Sequence, residues 1–195
     1  KKKHHGTLPA EKLPELWQWL HTTNASDAVK LAILTAMTSA HRVGVVVRAE
    51  WDHIDTATGV WTVPERMDKS TPGRMKSGRE YSLKLPAPLL DRLTALRDDS
   101  GGQYVFESPT TRGHVSENAV LKVLKRYDQR MTTHGFRNAI KEFCRVADPP
   151  IPDHVADAFC DHSLQGLDAS YRRYDTSDER AALAARLYRC ITSPR

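Results

Sequence analysis

Thr133-His134-Gly135-Phe136-Arg137 begins a stretch whose apolar residues recur at helical spacing. Helical from His134 onward, it sets His134 and Arg137 three residues apart on one face and gathers Phe136, Ile140, Phe143 and Ala147 into a separate apolar stripe. One face is expected to pack and the other to stay open for chemistry. A forked guanidinium beside an imidazole suits a tetrahedral oxyanion such as phosphate, because Arg donates two parallel hydrogen bonds while His donates a third or passes a proton. A surface His and Arg at a helix start would read the same way, so the pair needs support from the rest of the chain.

That support comes in a fixed order. Ser39-Ala40-His41-Arg42 closes an apolar helix, and Arg74-Met75-Lys76-Ser77-Gly78-Arg79-Glu80 lies between two strand-like runs. Further on come Cys160-Asp161-His162-Ser163 and Ala169-Ser170-Tyr171-Arg172-Arg173-Tyr174. Taken together, Arg42, Lys76, His134, Arg137, His162 and Tyr171 resemble the catalytic set of the tyrosine recombinases, the phage-integrase family, in the form found in integrases of prophages and genomic islands. The resemblance runs from about Leu31 to about Arg180. It implies a DNA breaking-and-rejoining catalytic domain, mainly helical with a small antiparallel sheet (α+β), over residues 10–195.

Composition is compatible with that expectation. At 195 residues, 39% hydrophobic and 27% charged, the chain is long enough to bury a full core as one domain. A formal charge of +5 leans toward a polyanionic partner. Cys144, Cys160 and Cys190 are widely spaced, with no C-x-x-C pair to suggest zinc or a disulfide framework, and read as buried or idle thiols in a reducing cytoplasm. No apolar run approaches the roughly 20 residues that span a bilayer.

Residues 1–9, with Lys1-Lys2-Lys3 and His4-His5, read as a basic tail or linker. In the family such a linker follows a separate helical DNA-clamping domain, which this sequence lacks, so the chain is expected to be the catalytic part. Helical periodicity starts at Pro9, with Leu13, Leu16, Trp17 and Leu20 inward. Ser26-Asp27 reads as the N-cap of a second helix, carrying Val29, Leu31, Ala32, Leu34, Thr35 and Met37 and delivering Arg42 to its C-terminal end. A short helix over Val43 to Val47 follows. Strands are expected at Trp51 to Asp55, Val60 to Val63 and Tyr81 to Leu85, with a polar hairpin tip from Glu65 to Glu80. Pro88 to Leu96, a helix capped by Ser116 with Val120, Val123, Leu124 and Tyr127 buried, Asp153 to Cys160, and Asp178 to Ile191 complete the helices. Lys122, Lys125 and Arg126 fall off the buried stripe and are candidate DNA-phosphate contacts, or simply a soluble surface.

The resemblance assigns roles residue by residue. Arg42 and Arg137 would hold the scissile phosphate, His162 would hydrogen-bond a nonbridging oxygen, and His134 would act as acid or base. Lys76 would protonate the leaving 5′ oxygen, with Lys69 as the rival because Arg66-Met67 and Arg74-Met75 repeat. Tyr171, nine residues after His162, would be the nucleophile, with Tyr174 as the rival. Two positions depart from the family: Val45 stands where an acidic residue is usual, and Asp161 brings a carboxylate where Gly or Ala is usual. A phenol has a pKa of about 10, and clustered cations stabilise its anion as it forms. The implied reaction uses neither metal nor nucleotide, and neither a P-loop nor a dinuclear carboxylate motif is present. Implied partners are double-stranded DNA at attachment sites, a homotetramer on that DNA with the last helix as an assembly element, and an accessory bending or excision factor, in a bacterial cytoplasm. Two alternatives stay open: a type IB topoisomerase-like activity, and a catalytically impaired DNA-binding module of the same fold.

Overall fold

Ser26 starts the helix that the rest of the chain surrounds. Its hydroxyl accepts a hydrogen bond from the Val29 N–H at 3.4 Å, satisfying one of the donors left open at a helix start. The computed structural model describes residues 8–68, 71–97, 102–110, 112–132, 134–161 and 175–193. Within them, α1 (Leu13–His21) follows a 3-10 turn, and α2 (Asp27–Ser39) is buried continuously from Leu31 onward. α2 is apolar nearly all round because other helices cover it: it packs against α1, α3 (Val43–Val46), α4 (Ala87–Thr94), α5 (Glu117–Tyr127), α6 (Gly135–Val146) and α8 (Ser177–Thr192). Each fully buried Leu, Ile or Met here contributes about 1.5–3 kcal/mol relative to exposure.

The small sheet is antiparallel, in the order β1 (Ile54–Asp55), β2 (Val60–Val63), β3 (Tyr81–Lys84). Its register pairs Trp61 with Leu83 and Val63 with Tyr81, so four buried residues share one face, as a period of two requires. The chain is thus mainly helical with a three-stranded antiparallel sheet, an α+β arrangement. One buried cluster draws on residues from Leu8 to Ile191. Among the described residues, no helix is long and apolar enough to cross a membrane.

Several boundaries differ from the sequence reading. Trp51–His53 is a 3-10 turn, and only Ile54–Asp55 pairs as a strand, with Trp61 and Val60 of β2. β3 stops at Lys84, the helix expected from Pro88 spans Ala87–Thr94, and α7 is Asp153–Phe159. On α6 the buried stripe includes Cys144; Phe143 is only half-buried under Arg186, and Ala147 lies past the helix end. The last helix turns its stripe of Leu183, Ala184, Leu187, Tyr188 and Ile191 onto its own chain, against α1, α2, α7 and β3. Cys144 and Cys160 are buried, and Cys190 is exposed. Burial pushes the Cys144 thiol up to about 12, which keeps it protonated and inert.

Candidate anion site

Arg42 does not end α2. That helix stops at Ser39, Ala40 takes the left-handed conformation (φ 56°), and Arg42 becomes the N-cap residue of α3. A left-handed alanine costs about 1–2 kcal/mol, and the reversal it makes is what turns the chain at Arg42. Val45, where the resemblance to recombinases would expect an acid, is 4% exposed and belongs to the core, so this turn is held by packing. Burial first, and then Arg137, push the Arg42 guanidinium below its ordinary value; Asp161 opposes them and Arg66 adds to them. Arg137, Asp161 and Arg66 therefore each lie within electrostatic reach of Arg42.

Arg137 is the unusual member. It is 2% exposed, and none of its three guanidinium nitrogens has a hydrogen-bond partner among the described residues. A buried charge with no partner costs several kcal/mol. The sequence reading put Arg137 on the open face of α6 beside His134. Instead Arg137 turns inward with Phe136, Ile140 and Cys144, while His134 is the exposed N-cap residue, its carbonyl accepting the Arg137 N–H at 3.3 Å. His134 keeps right-handed helical angles (φ −89°, ψ −15°) at the N-cap and stays exposed, whereas Arg137 is buried.

His41, quoted in the sequence stretch but given no role there, is 2% exposed beneath this cluster. Its ring stacks on Trp61 with centroids 4.7 Å apart and meets Tyr81 edge-on at 5.0 Å. Nδ1 lies 2.8 Å from the Ser39 carbonyl and so carries the proton, leaving Nε2 buried and without a partner among the described residues. Burial is the main reason its pKa falls to about 4. Tyr81, a phenol near the cluster, donates to the Phe159 carbonyl at 3.2 Å, and burial pushes it to about 12. It fastens α7 to β3 and is a poor nucleophile.

The polar hairpin comes back over the site. Met75 is buried and anchors the tip, while Lys76 is exposed beside it. Arg66 closes the hairpin from within: its N–H donates to the Gly78 carbonyl and its Nη2 to the Met75 carbonyl, each at 2.8 Å. From outside, the Ser77 N–H donates to Asp161 Oδ2 at 3.1 Å. Arg66 was not singled out from the sequence; its signal was the repeated Arg-Met pair. Lys69, His162, Tyr171 and Tyr174 lie outside the described residues. Lys122, Lys125 and Arg126 are exposed on α5, and the last two stand in its final turn, where the helix dipole favours cations.

The arrangement can bind an anion. Arg137 offers unspent donors, Arg42 is half-buried beside it, and Lys76 sits on a turn fastened next to Asp161. Among the described residues, no group of three or more His, Cys, Asp or Glu side chains is placed to hold a metal ion. Neither the protein-family models nor the curated proteins match this sequence.

Proposed function

We propose that this chain is the catalytic domain of a tyrosine-type site-specific DNA recombinase, an integrase that cleaves and rejoins DNA at attachment sites. The observation that carries the reading is the buried guanidinium of Arg137, without a protein acceptor among the described residues, within electrostatic reach of Arg42. A phosphodiester resists attack by an oxygen nucleophile because it is itself negative, and fixed positive charge aimed at its nonbridging oxygens lowers that barrier.

In this mechanism the Tyr171 oxygen attacks phosphorus and the bond to the 5′ oxygen breaks. The phenolic proton passes to His134 or to water, and Lys76 gives a proton to the departing 5′ oxygen. Arg42 and Arg137 hold the phosphate oxygens throughout, with His162 donating to one of them. The 3′-phosphotyrosyl ester conserves the phosphodiester's energy, so a 5′-hydroxyl from a second DNA end reverses the step on a new partner without ATP. Lys122, Lys125 and Arg126 would contact the backbone of the duplex and contribute a salt-dependent, sequence-independent part of binding.

The test is a nicked duplex carrying the direct repeats that bracket the gene's element, incubated with the protein and then denatured. A protein–DNA adduct that survives denaturant and disappears in Tyr171→Phe is the expected result. No adduct from the wild type, or an equal adduct from Tyr171→Phe, overturns the assignment. Retarded DNA mobility without any adduct is the outcome for a binding module. Relaxation of plasmid lacking the repeats is the outcome for a topoisomerase-like activity.

A further inference from the structure

Asp161 carries a second, separate message. It follows the end of α7, and its backbone is left-handed (φ 48°), a conformation that Asp adopts more readily than most residues. Among the described residues it shares this trait, for a residue other than glycine, only with Ala40, which makes the Arg42 turn. Strain of this kind persists where the surroundings fix it. Two bonds fix the end of α7 here: the Asp161 N–H donates to the Ala158 carbonyl at 3.1 Å, and the Phe159 carbonyl accepts from the buried Tyr81 hydroxyl of β3.

So oriented, the carboxylate reaches across 84 residues of sequence to accept the Ser77 N–H at 3.1 Å. Ser77 adjoins Lys76 in the same turn, and the remaining closures of that turn, through Arg66 and through Ser77 itself (Arg79 N–H to Ser77 Oγ, 3.3 Å), lie within the hairpin. Without Asp161 the hairpin would close on itself but lose this hydrogen bond to the body that carries Arg42 and Arg137.

We propose that Asp161 is a positioning residue: its carboxylate latches the Lys76 turn to the end of α7 and so holds the Lys76 ammonium at the ester oxygen that must be protonated. This rests on the strand-transfer reading above. The role belongs to the acceptor atom at a left-handed position, and that separates it from a plain counter-charge to the arginines. A counter-charge would act through its sign, whatever the side chain's hydrogen bonds.

Two substitutions divide these roles, and both tolerate a positive φ. Asp161→Asn keeps an acceptor oxygen and removes the charge; Asp161→Gly removes both. In the intact chain without DNA, the Ser77 amide is expected to exchange with deuterium about tenfold faster in Asp161→Gly, and within about twofold of wild type in Asp161→Asn. On the nicked duplex, Asp161→Gly is expected to form adduct about tenfold more slowly when the leaving atom is oxygen. With sulfur at the 5′ bridging position, a leaving group that needs no proton, it should come within about twofold of wild type. Lys76→Ala sets the full extent of that oxygen-to-sulfur difference. Unchanged Ser77 exchange in Asp161→Gly, equal behaviour of the Asn and Gly variants, or equal slowing on both esters overturns the latch. If wild type gives no adduct on either ester, the strand-transfer reading falls, and Ser77 exchange still decides whether the turn is latched.

Discussion

Arg137 and Arg180 both enter the first turn of a helix, where the macrodipole disfavours a cation, yet their surroundings could hardly differ. Arg180 spends its donors: Nη1 on the Ser82 carbonyl at 2.9 Å and Nε on the Thr176 carbonyl at 3.3 Å, with the guanidinium 4.7 Å over the Tyr81 ring. Arg137 is more deeply buried and spends none on the described protein. One side chain fastens α8 to β3. The other is held at a cost in stability, which is the condition a preorganised anion site must meet, since donors already satisfied would have to be freed before binding.

The sharpest way to break this contrast is to replace each arginine by methionine, which keeps the stem and removes the charge. Arg137→Met should lower adduct formation by about 100-fold or more while raising stability by about 1–3 kcal/mol. Arg180→Met should lower stability by about 1–2 kcal/mol. Urea unfolding of the two variants checks the opposite signs, and equal signs would erase the distinction between a fastened and an unspent guanidinium.

His41 belongs with Arg137, because its Nε2 is also buried without a partner among the described residues. Its folded pKa of about 4 lies below the ordinary 6.5, so between those values the unfolded chain binds the additional proton. The contribution of the neutral ring is therefore complete above about pH 6.5 and drains away as pH falls toward 4, amounting to something on the order of 3 kcal/mol. His41→Phe keeps a ring between Trp61 and Tyr81 and should flatten this dependence when unfolding free energies at pH 7 and pH 4.5 are compared. An equally steep loss in the variant would assign the acid sensitivity to carboxylates instead.

The smallest effect is an addition. Sulfate at a few times its Kd should raise wild-type stability by about 1 kcal/mol, and do the same for Arg180→Met. Arg137→Met should not respond. A response in all three chains would mean general salting rather than occupation of the site.

What the sequence revealed, and what it hid, follows the range of the interactions. The caps at Ser26 and Ser116 were legible because each acts on an amide three residues away, and α2 was legible because its apolar residues leave no solvent face. The period-two alternation found β2 and β3, whereas the 3-10 turn at Trp51–His53 hid behind an apolar, strand-like composition. At the site, spacing brought His134 and Arg137 together as neighbours, yet spacing alone does not tell that His134 at the N-cap stays exposed while Arg137 is buried. The Asp161–Ser77 bond lay beyond any local pattern, since it joins segments 84 residues apart. Likewise, nothing in Ser39-Ala40-His41-Arg42 distinguishes the buried imidazole from the half-buried guanidinium beside it.

The way α8 folds back also bears on how copies of this protein would combine. Its five inward residues cap α1, α2, α7 and β3 of the same molecule. Handing that helix to a neighbour would open the donor's interior and require an equal helix in return. If copies gather on one duplex, as the proposed function has it, a last helix that stayed in place would leave contact between them to other surfaces.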